Sequence, residues 1–542
     1  MPTTQSRSAL TFTAVLAAAA TSLVSVSLLS LHRRRRKVAD ARSSSGELNR
    51  DESLEYPPTP PTRHWLFGHA LSLQPKAGQP KESHYLLFLE WMQKLSSKMV
   101  MFQLPVIGRF IVVGDAEVAR HVLTDKSFHK SPTYKGMLPL IGKKSMVAAE
   151  GKEWVSQRRL YNPGFSPDFL RTVVSTIILK CNRFIAKCDE DIENDVATDM
   201  LGRAVDLTSD VIASVAFGED WGIHDPSNEN IRTLKTIRDL TVVVGENMSN
   251  PLKRYFNLSN MWKTWRLSVT LDRDMQRLVQ RRLEKFRASP DMEMKQKDIL
   301  SLTLSSVLRS KKTSDPDKDI SFSSDDMENM TSQLKTFYFA GHDTTATTIA
   351  WAYWLLCQYP KSLQRAREEV VSSLGTYWAE DAALGKNLCT TTYEKLQQCE
   401  YLDAVARETL RLYPPAASTR YAVDPNANAE GVLLGNSIVH LNFYAIQRDP
   451  DIWEESNKFM PERFLGEEGR KRASSFSFLP FSKGSRDCIG KYFALLETKI
   501  ALAAMISRYD GVAVDTNEVY TTRLTSIPMD GCKVNLQRRS TD

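Results

Sequence analysis

The stretch Phe481-Ser482-Lys483-Gly484-Ser485-Arg486-Asp487-Cys488-Ile489-Gly490, followed directly by a helical pattern from Lys491 to about Arg508, decides how the rest of the chain is read. Gly484 and Gly490 let a tight loop approach a flat group, with backbone N–H groups free to point at the Cys488 sulfur. A helix that begins just after the cysteine places its positive end near the sulfur and lowers the thiol pKa, which favours the metal-binding thiolate. Arg486, two residues before the cysteine, is placed to pair with a carboxylate. Taken by itself, a cysteine in a Gly-containing turn reads as a small buried packing group.

Working outward, Ala340-Gly341-His342-Asp343-Thr344-Thr345 sits in the middle of the longest helical pattern, from about Asp325 to Gln358. Ser323, Ser324, Asp325 and Asp326 supply its N-terminal capping and charge, and Tyr359-Pro360 ends it. At the standard rise such a helix is ~50 Å long, enough to cross a whole domain. Gly341 removes a side chain where the helix has to lie close to a neighbour, and adjacent threonines bond back to the i−4 carbonyl and open a local bulge. Glu408-Thr409-Leu410-Arg411 lies on another helix, ended by Pro414-Pro415, with both charges on one face. Trp154-Val155-Ser156-Gln157-Arg158 places an indole and a guanidinium one helical turn apart, so that both can reach a single carboxylate. Each of these three has an unremarkable reading as well: a kinked helix, a surface ion pair, a cation–π contact.

Together and in this order, the motifs resemble those of the cytochrome P-450 family. Phe481, Gly484, Arg486, Cys488 and Gly490 match its F-x-x-G-x-R-x-C-x-G signature at every fixed position, and a chance match in a chain of this length is on the order of one in a few thousand. Ala340 to Thr345 resembles its A-G-x-[DE]-T-[TS] motif, and Glu408 with Arg411 its E-x-x-R. The resemblance runs from about Trp65 to the C-terminus. It implies a mainly α fold with a minor β region, a triangular helical domain around a long central helix. It also implies haem b, with Cys488 as axial ligand and Trp154, Arg158, Arg486, Phe481, Gly484, Gly490, Ala340 and Gly341 around the cofactor. A thiolate ligand pushes electron density onto iron and favours O–O cleavage, so the implied activity is a monooxygenase that inserts one atom of dioxygen into a lipophilic substrate. Splitting dioxygen needs two protons, and Asp343 with Thr344 fits the acid and the alcohol that relays them. The resemblance adds Arg463, from Pro461-Glu462-Arg463-Phe464, as third member of a structural cluster with Glu408 and Arg411. Gln447 departs from it, since many relatives carry His there. Arg420 and His440 also lie where some relatives contact the haem, across an uncertain gap.

No flavin- or nicotinamide-binding domain is visible, so the electrons are expected from a separate NADPH–cytochrome P-450 reductase, with cytochrome b5 as a further donor. A basic surface including Lys483 and Lys491 is the expected docking site. By position, the pocket draws on residues 131–140, Phe337, Thr345, residues 416–419, Ser526 and Ile527. Two other functions use the same cofactor: an isomerase or dehydratase that needs no reductase, and a non-catalytic haem sensor.

The bulk numbers agree with an ordinary folded chain: 542 residues, 42% hydrophobic and 25% charged. Of the net charge of +7, the run Arg33-Arg34-Arg35-Arg36-Lys37 supplies five, which leaves the body near neutral and argues against a nucleic-acid partner. Residues 8–31 carry no charge and are long enough to span a membrane. The basic run after them keeps the body cytosolic by the positive-inside rule, and the apolar stretch continuing past Ala18-Ala19-Ala20 argues against a cleaved signal peptide. The expected organisation is a short lumenal N-terminus (1–7), a transmembrane anchor (8–31), a basic, Pro-rich linker (32–62) and the haem domain (63–542), on the endoplasmic reticulum membrane. Seven scattered cysteines without a C-x-x-C pair exclude zinc and a disulfide framework, and fit a reducing compartment. The motif style resembles fungal enzymes of specialised metabolism.

Overall fold

The computed structural model describes residues 54–61, 68–73, 83–104, 107–222, 230–249, 257–288, 298–311, 322–375 and 391–539. Residues 8–31, read as a membrane anchor, lie outside the described residues, as do 1–7 and 32–53. Among the described residues no helix is long and apolar enough to cross a membrane. Tyr56–Asp542 form one compact unit. Its start lies inside the stretch read as linker, because the Pro58 carbonyl accepts the Met101 amide at 2.9 Å and Tyr56 lies under the Arg109 guanidinium. Prolines that lack donors still offer carbonyls to a sheet edge.

The helices that bear on the site are α1 (Ala116–Thr124), α2 (Gly151–Tyr161), α3 (Pro167–Glu193), α4 (Met200–Ile212), α5 (Asn230–Ser249), α6 (Leu258–Ala288), α7 (Ser324–Gln358), α8 (Pro360–Leu374), α9 (Glu400–Leu412) and α10 (Lys491–Arg508). The 35 residues of α7 form the axis on which α4, α6, α9 and α10 pack. Being surrounded, it is buried on nearly all sides, with residues from Ile349 to Leu356 at 4% exposure or less. Its start is a capping box: the Ser323 hydroxyl accepts the Asp326 amide at 3.1 Å and the Asp326 carboxylate accepts the Ser323 amide at 2.9 Å. Near its other end Trp351 stacks flat on Tyr413, ring centroids 3.8 Å apart, which ties α7 to the residue that ends α9. Cys399 offers no side-chain cap to α9, and the α8 carboxylate Glu369 takes that place by accepting the Tyr401 and Leu402 amides.

The β region is small. A five-stranded sheet runs in the order β1 (Met99–Leu104), β2 (Gly108–Val113), β5 (Ile438–Leu441), β4 (Ser418–Ala422), β3 (Phe128–Lys130). β2 and β5 are parallel, with Phe110 against Ile438, and the other pairings are antiparallel. A two-stranded hairpin, β6 (Tyr520–Thr522) and β7 (Ser526–Pro528), approaches α7. The six cysteines among the described residues are all free.

Replacing Ser323 by alanine removes one half of the α7 capping box and is expected to lower stability by about 1 kcal/mol. Denaturant unfolding should show a lower midpoint for Ser323→Ala, with Ser323→Asp restoring most of it.

Candidate active site

The loop that carries Cys488 is held from both sides. Its 481 carbonyl accepts the Cys488 amide at 2.9 Å, closing the turn. Gly484 has φ +76°, and a Cβ there would stand 2.5 Å from the Leu123 carbonyl oxygen at the end of α1, so glycine is required twice over. A Cβ at Gly490 would lie 4.0 Å from the Cys488 sulfur and 3.8 Å from the Phe165 ring. Phe165 in turn meets Phe337 edge-on at 5.5 Å, one helical turn before Ala340 on α7. Phe165 thus lies between Gly490 of the ligand loop and Phe337 of α7.

Below the loop, Glu408 has no exposure and its carboxylate is chelated by Arg411 at 2.7 and 2.8 Å. The Met460 amide donates to the same carboxylate at 2.9 Å, and Arg463 Nε makes a 3.4 Å ion-pair contact. The remaining Arg411 donors go to the carbonyls of Gln447, Ser456 and Lys458. Gln447 completes the brace: its amide donates to the Leu410 and Arg411 carbonyls at 2.9 and 3.0 Å and its oxygen accepts the Leu479 amide at 2.7 Å, two residues before Phe481. The departure at 447 is thus a bidentate amide where α9 meets the loop.

Cys488 is enclosed by protein yet its side chain is uncovered. Burial raises its thiol pKa; the Gly490 amide, Arg158 and Lys491 pull the other way without overcoming it. This differs from the expectation of a lowered pKa. Helix-end and charge effects are present, and desolvation of the thiolate opposes them.

On α7, Ala340 is exposed directly after an unbroken buried run from Met330 to Phe339. The Thr344 hydroxyl donates to the Ala340 carbonyl at 2.8 Å, and Thr348 to Thr344 at 2.9 Å. The ladder nevertheless stays α-helical throughout, so the expected bulge is not a break in the helix. The close approach that Gly341 permits is to Ile212 of α4, whose Cδ1 would stand 3.1 Å from an added Cβ. His342 Nδ1 donates to the Tyr338 carbonyl at 2.8 Å, and the imidazole stacks on the Tyr338 ring. Asp343 is half-buried and its Oδ2 accepts the Thr525 hydroxyl.

The Trp154 and Arg158 side chains both reach the ligand loop. Arg158 spends its fork on Asp487, at 2.7 Å to the carbonyl and 2.9 Å to the carboxylate, and so clamps the residue before the cysteine. Trp154 instead lies under the Arg486 guanidinium at 4.6 Å. Arg486 donates to the Ala149 carbonyl at 2.8 Å and stands 3.5 Å from Glu150.

Three further basic or phenolic groups gather near Arg486. Lys130 on β3 lies directly opposite Arg420 on β4, an arrangement of like charges that costs stability unless an anion lies between. Arg420 is 2% exposed, and its Nη2 has no hydrogen-bond partner among the described residues. Tyr134 accepts the Thr419 amide at 3.3 Å, with the Lys130 ammonium 4.7 Å over its ring. Burial, with Arg420 and Arg486 adding to it, brings Lys130 down to about 8. Burial alone would raise the Tyr134 phenol, but Lys130 and Arg420 outweigh it and bring it to about 7. Burial likewise lowers Arg486 to about 10, with Glu150 opposing. This surplus of buried positive charge fits a ligand with carboxylates, and the uncovered thiol fits a metal; haem b carries both. Tyr134 falls within residues 131–140, expected in the pocket, whereas Lys130 was not legible in the sequence, because the β3–β4 register that brings it to Arg420 leaves no local pattern. His440 is half-buried between Tyr85 and Phe88, its Nε2 without a partner among the described residues, and burial lowers it to about 4.

Of the pocket residues expected from the sequence, Thr133 and Thr419 meet at 3.4 Å, and the Ser526 amide donates to the Pro415 carbonyl at 2.8 Å. Phe337 does not join them; its ring packs on Tyr161 and Phe165.

Residues 57–526 match the family model described as cytochrome P450, here written P-450. The chain is 28% identical over 464 residues to human cytochrome P-450 4Z1, covering 83% of this chain and 85% of that one. It is likewise 28% identical over 497 residues to cytochrome P-450 monooxygenase polC of Polytolypa hystricis, covering 88% and 84%. Its fold superposes on the crystal structure of the cytochrome P-450DA heme domain with a TM-score of 0.71 at 21% identity, covering 90% of this chain and 98% of that one.

Removing one charged partner of a buried carboxylate costs a charge-assisted hydrogen bond, so Lys130→Ala and Arg420→Ala are each expected to speed haem transfer to an acceptor apoprotein by about tenfold or more. Transfer rates equal to wild type in both variants would remove these residues from the cofactor site.

Proposed function

The chain belongs to the cytochrome P-450 family, and we propose that it acts as a membrane-bound monooxygenase that inserts one oxygen atom from dioxygen into a lipophilic substrate, with Cys488 as the iron ligand. The observation that carries this reading is the uncovered Cys488 side chain, with the Gly490 amide directed at its sulfur, in a loop braced by the buried Glu408–Arg411 pair. Haem bound through a thiolate supplies the activation of dioxygen.

The chain's own residues supply the rest. Arg420, Arg486 and Lys130 would neutralise the acid side chains of the cofactor, and the neutral Tyr134 phenol would donate a hydrogen bond beside them. Arg158 fixes Asp487 and so the ligand loop. Asp343 takes protons from water, and the Thr344 hydroxyl, now donating to the Ala340 carbonyl, turns to pass them on. Phe165 and Phe337 pack edge-on beside the ligand loop. Thr133, Thr419, Ser526 and Ile527 belong to the substrate wall. The anchor at 8–31 would hold this domain on the cytosolic face of the endoplasmic reticulum, where lipophilic substrates partition.

Electrons come from a separate NADPH–cytochrome P-450 reductase, with cytochrome b5 as a second donor. Lys483 is less suited to docking than its position suggests, because its ammonium donates to the Ser474 carbonyl at 2.8 Å and burial lowers it to about 8. The cleft lined by Trp154, Val155, Arg158, Arg159 and Pro163, on the α2 side of the ligand loop, offers cations together with an exposed apolar contact at Val155. A role in specialised-metabolite formation is proposed from the style of the sequence motifs alone.

Turnover with purified reductase, NADPH and isotopically labelled dioxygen tests the proposal. One labelled oxygen atom should enter the product, and Thr344→Ala should lower product formed per NADPH by about tenfold or more, with peroxide in its place. Product that forms without dioxygen or reductase would assign the chain to the isomerase or dehydratase class instead.

A further inference from the structure

The β6–β7 hairpin turns at Arg523 to Thr525, where the Arg523 amide donates to the Thr525 carbonyl at 2.9 Å. Two contacts fix this turn. On one side lies Gly245 of α5, where an added Cβ would stand 3.3 Å from the Leu524 nitrogen and 3.4 Å from the Arg523 carbonyl carbon, so the absent side chain lets the backbone come in. On the other side the Thr525 hydroxyl donates to Oδ2 of Asp343 on α7. Thr525 is 5% exposed, so its hydroxyl meets this carboxylate rather than bulk water. Asp343 Oδ1 has no hydrogen-bond partner among the described residues.

We propose that Thr525 is a positioning residue for proton delivery: by holding Oδ2, it fixes the rotamer of the Asp343 carboxyl and leaves Oδ1 as the oxygen that exchanges protons. The proposal rests on Asp343 being the acid of the monooxygenase. A carboxyl hydrogen-bonded through one oxygen to a buried hydroxyl has one orientation in place of several, and proton transfer falls steeply when donor and acceptor are out of line. The proton taken up at Oδ1 comes from water, and its departure restores the carboxylate, so no oxidant or reductant enters the step. The same hairpin carries Ser526 and Ile527 beside the substrate wall, so any substrate that displaces the turn also moves the acid.

The holoenzyme with its reductase provides the test, with Thr525→Val as the near-isosteric variant lacking the hydroxyl, Thr525→Ser as the conservative one, and Thr525→Ala as a second deletion should valine disturb the turn. Loss of the hydroxyl is expected to lower kcat by roughly 5- to 10-fold, to raise the solvent hydrogen isotope effect and to divert NADPH to peroxide, with serine restoring turnover to within about twofold. KM and the substrate-induced spectral shift should stay within about twofold of wild type, because the bond is to the acid and not to substrate. On an Asp343→Asn background, Thr525→Val should add no further loss, since two residues acting through one step are not additive. If Asp343→Asn impairs turnover while Thr525→Val and Thr525→Ala leave kcat and the isotope effect unchanged, the positioning role is overturned and the acid survives. If Asp343→Asn itself changes neither, the acid assignment fails and the proposal fails with it. A Thr525 effect confined to KM would make the residue a substrate contact and also overturn the proposal.

Discussion

A carboxylate with no exposure to water has to be paired completely, and in Glu408 that requirement organises the ligand side of the molecule. Arg411 satisfies it through both oxygens, and in doing so its own remaining donors must find acceptors. They find the carbonyls of Gln447, Ser456 and Lys458, three points along the chain that leads to the cysteine loop. Gln447 then transmits the position of the end of α9 to Leu479, two residues before Phe481. Rigidity in this region is a by-product of burying charge: each group that is withdrawn from water fixes the next. The cation–π contact of Arg411 over Trp453 adds packing to the same knot.

The electrostatics of the cofactor site follow a different logic, in which pairing is left incomplete. Lys130, Arg420 and Arg486 converge, with Glu150 as the one acid beside them among the described residues, and each is pulled below its ordinary pKa by burial. A protein that buries cations with their pairing incomplete bears a cost that a carboxylate ligand relieves. The thiol shows the same pattern, since its burial favours the neutral form until a metal binds. Both features store unfavourable terms in the protein that binding of the cofactor removes, which ties cofactor uptake to the stability of the fold.

Local patterns in the sequence carried the parts of this arrangement that depend on neighbours in the chain. The limits of α7 follow from Ser323 and from Tyr359-Pro360, and the Glu408–Arg411 pair follows from its i,i+3 spacing. The third member, Arg463, came from resemblance to a family, and its Nε stands 3.4 Å from the Glu408 carboxylate. Contacts between distant segments were not readable. The opposition of Lys130 and Arg420 depends on strand register, the clamp of Arg158 on Asp487 on how α2 meets the ligand loop, and the Thr525 bond to Asp343 on where a hairpin tip comes to rest. Gly341 shows the same limit from the other side: a glycine in a helix announces a close approach, but only packing shows that the neighbour is Ile212. The helix charge beside the thiol can be seen in sequence, whereas its desolvation cannot.

Ligation of the iron by Cys488 is tested most directly by the optical difference spectrum of the reduced, carbon-monoxide-bound protein, recorded for wild type and for Cys488→Ala. The account predicts a strongly red-shifted Soret band in the wild type that vanishes in the variant. A band at the position given by histidine ligation, or one that survives the substitution, would contradict it.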